Sequence, residues 1–131
     1  MTVKTFGHPK QGWKKRRKHH KESILQRKDG TCWLCRVLHG SGELYGYTEE
    51  HHVFFGSGQR WKSEEDGLKV YLCVQHHRTG PESVHRNHKI CRMLQAAAQE
   101  VYEKEHTREE FMDRYGKNYI TREDELNENH A

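Results

Sequence analysis

A chain of 131 residues, 32% apolar and 32% charged, fits one domain with a tail at each end and is too polar to bury a large core. The N-terminal stretch is polar and no apolar run reaches spanning length, so the reading is a cytoplasmic protein without a membrane segment, its thiols reduced. The net charge of +4 conceals an asymmetry: nine Lys/Arg and one acid lie between Lys10 and Lys28, against one base and four acids from Thr121 to Ala131. A basic arm of this kind points to a polyanionic partner, nucleic acid before others.

Residues 1–19 read as a flexible basic arm, with Lys14, Lys15, Arg16, Arg17 and Lys18 as phosphate-contacting side chains and Lys21 just beyond. His20 to Arg27 carries Ile24 and Leu25 and predicts a short helix ending at the turn pair Asp29-Gly30. After Cys32-Trp33-Leu34-Cys35, the glycines 40, 42 and 46 mark a loop. Tyr47 to Phe55 predicts a strand, Gly56-Ser57-Gly58 breaks it, and Leu68 to Leu72 predicts the returning partner. Gly80-Pro81 interrupts the segment that begins at His76. Ser83 is placed to cap a helix from about Val84 to His106, with Met93, Leu94, Ala97 and Val101 on its apolar face. Thr107-Arg108-Glu109-Glu110 has the form of a capping box opening a last helix through Tyr115. The domain is therefore assigned to 20–106, with a C-terminal helix and acidic tail over 107–131.

Two residues between cysteines let both thiolates face one ion, and a tetrahedral zinc site needs two more ligands. Cys73 and His76 repeat the gap of Cys32 and Cys35, so these side chains can close a Cys3His structural zinc site across the hairpin. Cys91 lies inside a helical pattern and reads first as core, with a rival claim to replace His76 as fourth ligand.

Six histidines fall between His51 and His88, four of them in adjacent pairs. The stretches Glu50-His51-His52-Val53 and Leu72-Cys73-Val74-Gln75-His76-His77, followed by His85, resemble the HNH endonuclease family, as does the run Arg27 to Cys35 before the knuckle. The likeness covers roughly residues 20 to 90 and is strongest to the small phage-type members. It implies an α+β fold with a ββα-metal (His-Me finger) core, a structural zinc knuckle and a C-terminal helical extension. By position, His51, His77 and His85 would ligate a catalytic divalent metal, with His88 as rival to His85. His52, on the opposite side of an extended chain from His51, would be the general base that deprotonates the attacking water. Glu50 is a candidate for fixing its tautomer.

The chain departs from the family pattern in three places. No Asn lies near Leu68, where the family has the brace behind the base; Asp66 and Asn87 are candidate substitutes. The knuckle ends Cys-x-x-His in place of Cys-x-x-Cys. Pro81 stands where the third ligand usually does, which is why His85 and His88 compete. An all-imidazole set favours Zn, Ni, Co or Mn over Mg in affinity.

The resemblance thus implies a phage or mobile-element endonuclease that nicks or cuts DNA, in the host cytoplasm if phage-encoded. Trp13 and Trp61 are aromatic groups for base stacking or for packing. A protein partner supplying cleavage specificity is an open expectation, as is monomer against homodimer. A reading from another class is a zinc-stabilised nucleic-acid-binding module whose nuclease site has decayed. A nuclease directed at RNA would share the site.

Overall fold

The computed structural model describes residues 21–121. In chain order these form α1 (Trp33–His39), β1 (Glu49–His52), α2 (Arg60–Asp66), β2 (Lys69–Leu72), a π-helical turn (Gln75–Thr79), α3 (His88–Tyr102) and α4 (Arg108–Tyr115). The fold class is α+β: helices around one small antiparallel sheet. No described helix is long and apolar enough to cross a membrane.

The sheet registers His51 opposite Val70 and His52 opposite Lys69. Every residue of β2 is buried, so its one neighbouring strand among the described residues cannot be its sole cover. The chain before the knuckle supplies the rest. The expected helix over His20–Arg27 is absent from the described part, 21–27, because this irregular segment, bent at Ile24 and Leu25, is hydrogen-bonded to β2. Its side chains serve the strand's open edge: Gln26 Oε1 accepts from Tyr71 N (2.7 Å), and Ser23 Oγ donates to Lys69 O. A helix there would leave those groups unpaired.

α2, which the hydrophobic pattern does not announce, lies between the two strands. Its Ser63 is fully buried; Oγ donates to Phe54 O (2.7 Å) and accepts from Phe54 N (3.0 Å), which fastens the helix to the end of β1. α2 ends at Gly67, whose φ of +73° is left-handed and whose absent Cβ would lie 2.5 Å from Glu22 O. Only glycine fits there.

α3 starts at His88, not near Val84, with Asn87 Oδ1 accepting from Ile90 N (3.1 Å). The delay has a cause: Val84 N bonds back to His76 O (2.9 Å), so residues 83–87 form turns pinned to the preceding segment. The helix also ends at Tyr102, short of His106. Its buried stripe is Leu94, Ala98 and Tyr102, rotated from the expected face, since Met93, Ala97 and Val101 are only partly covered. α4 keeps the expected limits, and its capping box is complete at Thr107 and Glu110. Phe111 and Tyr115 of α4 join Phe54, Tyr102 and Tyr119 in an aromatic cluster of the same core. Buried Gln99 locks the chain's return: it donates to Glu103 and Asn118 and accepts from Tyr119 N (2.7 Å).

Candidate metal centres and the His52 cleft

Cys32, Cys35, Cys73 and His76 converge in a buried cluster able to hold one metal ion such as zinc. His76 Nδ1 lies 3.6, 3.3 and 3.5 Å from the sulfurs of Cys32, Cys35 and Cys73, and Cys35 Sγ lies 3.9 Å from Cys73 Sγ. Tetrahedral zinc with ordinary bond lengths would set about 3.6 Å between nitrogen and sulfur and about 3.8 Å between sulfurs. The four donors therefore fit the ion. Burial pushes the Cys35 thiol up to about 12, even though Tyr45 Oη at 3.1 Å pulls the other way, so a thiolate here calls for an adjacent cation. Glu82 approaches His76 Nε2 (3.9 Å) and His39 Nε2 (3.2 Å), an outer carboxylate that no spacing signal in the chain reveals. Cys91 lies on α3, half-buried and outside the cluster.

The second group is His51, His77 and His85, whose ring nitrogens also fall close enough to share an ion. β1 points His51 inward, where it is 4% exposed and its Nε2 has no hydrogen-bond partner among the described residues. An orphaned buried nitrogen costs free energy unless something is bound to it. Burial, then the neighbouring His77 and His85, holds the His51 imidazole down to about 3, so it is a neutral donor at any ordinary pH. His77 and His85 approach through their Nε2 atoms at 3.3 Å, about the spacing of two imidazole nitrogens on one tetrahedral cation. His77 Nδ1 is engaged by Glu49 Oε1 at 2.6 Å, which leaves Nε2 as its free donor. Glu49 is in turn clamped by the Arg78 guanidinium (2.9 and 2.8 Å) and by Tyr47 Oη (2.9 Å). Arg78 first, then His77, holds its carboxyl well below the usual carboxylate range. His88 is exposed at the start of α3 and does not join this group.

Two structural devices aim these ligands. The π-helical turn directs adjacent His76 and His77 into different side-chain groups, and its exit needs Gly80, where a Cβ would lie 2.9 Å from Gln75 O. Buried Val84 anchors the loop that carries His85. Phe55, 42% exposed, stands edge-on to both His51 and His85 at ring separations of 5.6 and 5.8 Å.

His52 occupies the other face of β1. Its Nε2 meets Glu64 Oε1 at 2.6 Å, while Glu50 is 3.9 Å away, so the orienting carboxylate is Glu64 of α2 and not the expected Glu50. Arg60 Nε donates to His52 Nδ1 (3.4 Å), which fixes the hydrogen on Nε2 and the lone pair on Nδ1. Buried Lys69 bonds Glu64 (3.1 Å) and pairs with Glu50 (3.3 Å); burial alone would lower its pKa, but these carboxylates raise it. Neither suggested Asn substitute reaches His52. Asp66 receives Arg114 and Tyr115, and Asn87 caps α3. The Glu49 and Glu50 pair is legible in part, since alternation along β1 puts one beside each histidine; Glu64 is not, because nothing in the sequence pattern marks α2. Glu50, His52, Gly58, Arg60, Trp61 and Glu64 line an open cleft of about 500 Å³.

Of the expected phosphate-contacting arm, Lys21 is exposed, and Lys14, Lys15, Arg16, Arg17 and Lys18 lie outside the described residues. Comparison of the chain with protein-family models, with curated proteins and with solved structures finds no match.

Proposed function

We propose that the protein is a metal-dependent endonuclease of the HNH type, with a ββα-metal core formed by β1, β2 and the region carrying His85, acting on DNA phosphodiesters. The observation that carries this reading is the convergence of His51, His77 and His85 on one point, with the unpartnered His51 Nε2 buried among them and His52 on the next position of the same strand. A divalent ion held there would supply charge stabilisation to the phosphorane-like transition state and the departing 3′ oxygen. Glu49 keeps His77 in the ligating tautomer and Arg78 keeps Glu49 in place. His52 accepts the proton of the attacking water at Nδ1, after Arg60 leaves that atom for a phosphate oxygen. Glu64 stabilises the imidazolium that results, and Lys69 prevents Glu64 and Glu50 from repelling the substrate outright. The basic arm adds affinity without sequence readout, so binding weakens steeply with salt.

His52→Ala should abolish nicking of supercoiled plasmid in each of Mg, Mn, Co, Ni and Zn, while circular dichroism and DNA binding stay as in wild type. Full nicking by that variant would remove the assigned mechanism. A second reading, a zinc-stabilised DNA-binding module with a decayed site, draws on one observation: both nitrogens of His52 are already engaged, by Glu64 and Arg60. Salt-sensitive DNA binding by wild type with no nicking in any metal would select it.

A further inference from the structure

Trp61 has no role in the chemistry above, yet it is placed at its edge. It is 53% exposed on α2, one residue from Arg60, and lines the same cleft as His52. Its apolar surface is not spent on the core; Ser63 faces inward from that helix instead. The ring is nevertheless held: Arg114 and Lys62 lie 5.5 and 5.9 Å from its centroid, and both are tied elsewhere, Arg114 to Asp66 (2.6 Å) and Lys62 to Arg114 O (2.7 Å). An indole fixed in this way, yet about half exposed, loses little entropy when something stacks on it. The loop beside it adds no bulk, since a Cβ at Gly56 or Gly58 would meet nothing within 4 Å. Arg60 is exposed, bonded only to His52 Nδ1 among the described residues, and supplies a cation for a phosphate in the same cleft. A flat apolar platform beside an exposed guanidinium matches a nucleotide: base on the indole, phosphate on the arginine.

We infer that Trp61 stacks an unpaired nucleobase next to the phosphate held at the His52 cleft, so that the preferred DNA carries a gap, flap or end there in place of continuous duplex. This rests on the nuclease reading and narrows its substrate class. The face of a base inside a continuous duplex is covered by its neighbours, so it reaches an indole only where the stack is broken.

The test is binding of labelled oligonucleotides to the zinc-loaded full chain, without a second divalent ion. A gapped duplex should bind about tenfold tighter than the continuous duplex of the same sequence, and Trp61→Ala should erase that difference. Trp61→Phe should restore most of it. Replacing one gap nucleotide by an abasic analogue should reproduce the loss in wild type and cost nothing further in Trp61→Ala. Equal weakening of gapped and continuous DNA by Trp61→Ala, a flat abasic scan in wild type, or no binding to any DNA overturns the proposal. Plasmid nicking separates the two layers. Nicking with no Trp61-dependent gap preference removes only the platform, whereas the preference without nicking in any metal keeps the platform and removes the nuclease.

Discussion

Replacing Glu49 by Gln isolates the contribution of an outer carboxylate to the imidazole group. The 2.6 Å contact of Glu49 with His77 Nδ1 fixes the ring so that Nε2 faces His85 Nε2 at 3.3 Å. Glutamine keeps the shape and an acceptor oxygen but removes the charge that strengthens His77 as a donor. Losing such a partner typically costs about 10–100-fold in metal affinity. The side effects are small, because Arg78 is 55% exposed and its guanidinium can be hydrated once unpaired. The assay is calorimetric titration of Mn or Co into protein already loaded with one equivalent of zinc. Glu49→Gln should weaken the second ion by that factor and leave the first, thiolate-bound one unchanged. Glu50→Gln is the matched control: it sits on the His52 face of β1 and should leave both affinities as they are. Unaltered affinity in Glu49→Gln, or equal loss in both variants, would refute the division of β1 into two chemical faces.

Three further outcomes are expected. Cys73→Ser should lose stoichiometric zinc and the thiolate-to-cobalt absorption of the cobalt form, whereas Cys91→Ser should keep both, because Cys91 stands outside the cluster. Gly67→Ala should lower the urea midpoint by the equivalent of about 1–2 kcal/mol from the left-handed backbone alone, and by more because the new Cβ meets Glu22 O; a loss no larger than the backbone term would show that the segment 21–24 is not held against α2. His51 stays neutral in the fold, with a pKa of about 3 against 6.5 unfolded, so only the unfolded chain gains a proton as pH falls below 6.5. Stability therefore drops with acid, by about 2 kcal/mol from this residue between pH 7.5 and 5. Zinc-loaded His51→Leu should show a pH slope shallower by that amount in denaturant titrations.

The candidate metal ligands are legible because ligand chemistry writes itself into spacing. Two gaps of two residues bring Cys32, Cys35, Cys73 and His76 to one point, and the capping box at Thr107 is equally local. The features that escape such reading depend on contacts distant in sequence. The segment 21–27 has adequate helical composition, but the open edge of β2 offers its polar groups better partners. α3 starts late because Val84 N answers to His76 O, a bond that no helix-start signal encodes. Glu64 is one of several acids in a polar stretch, and only the fold of α2 brings it 2.6 Å from His52.

The adjacency of His76 and His77 in the π-helical turn has a practical consequence. One backbone segment of consecutive residues serves both groups, so an ion held by the cysteines would also steady the turn that presents His77. Each ion should then favour retention of the other, in equal measure by reciprocity. Under the proposed nuclease reading, loss of nicking on adding a chelator would not identify which ion was removed, and adding back a single metal would restore nicking only after the cysteine site is refilled.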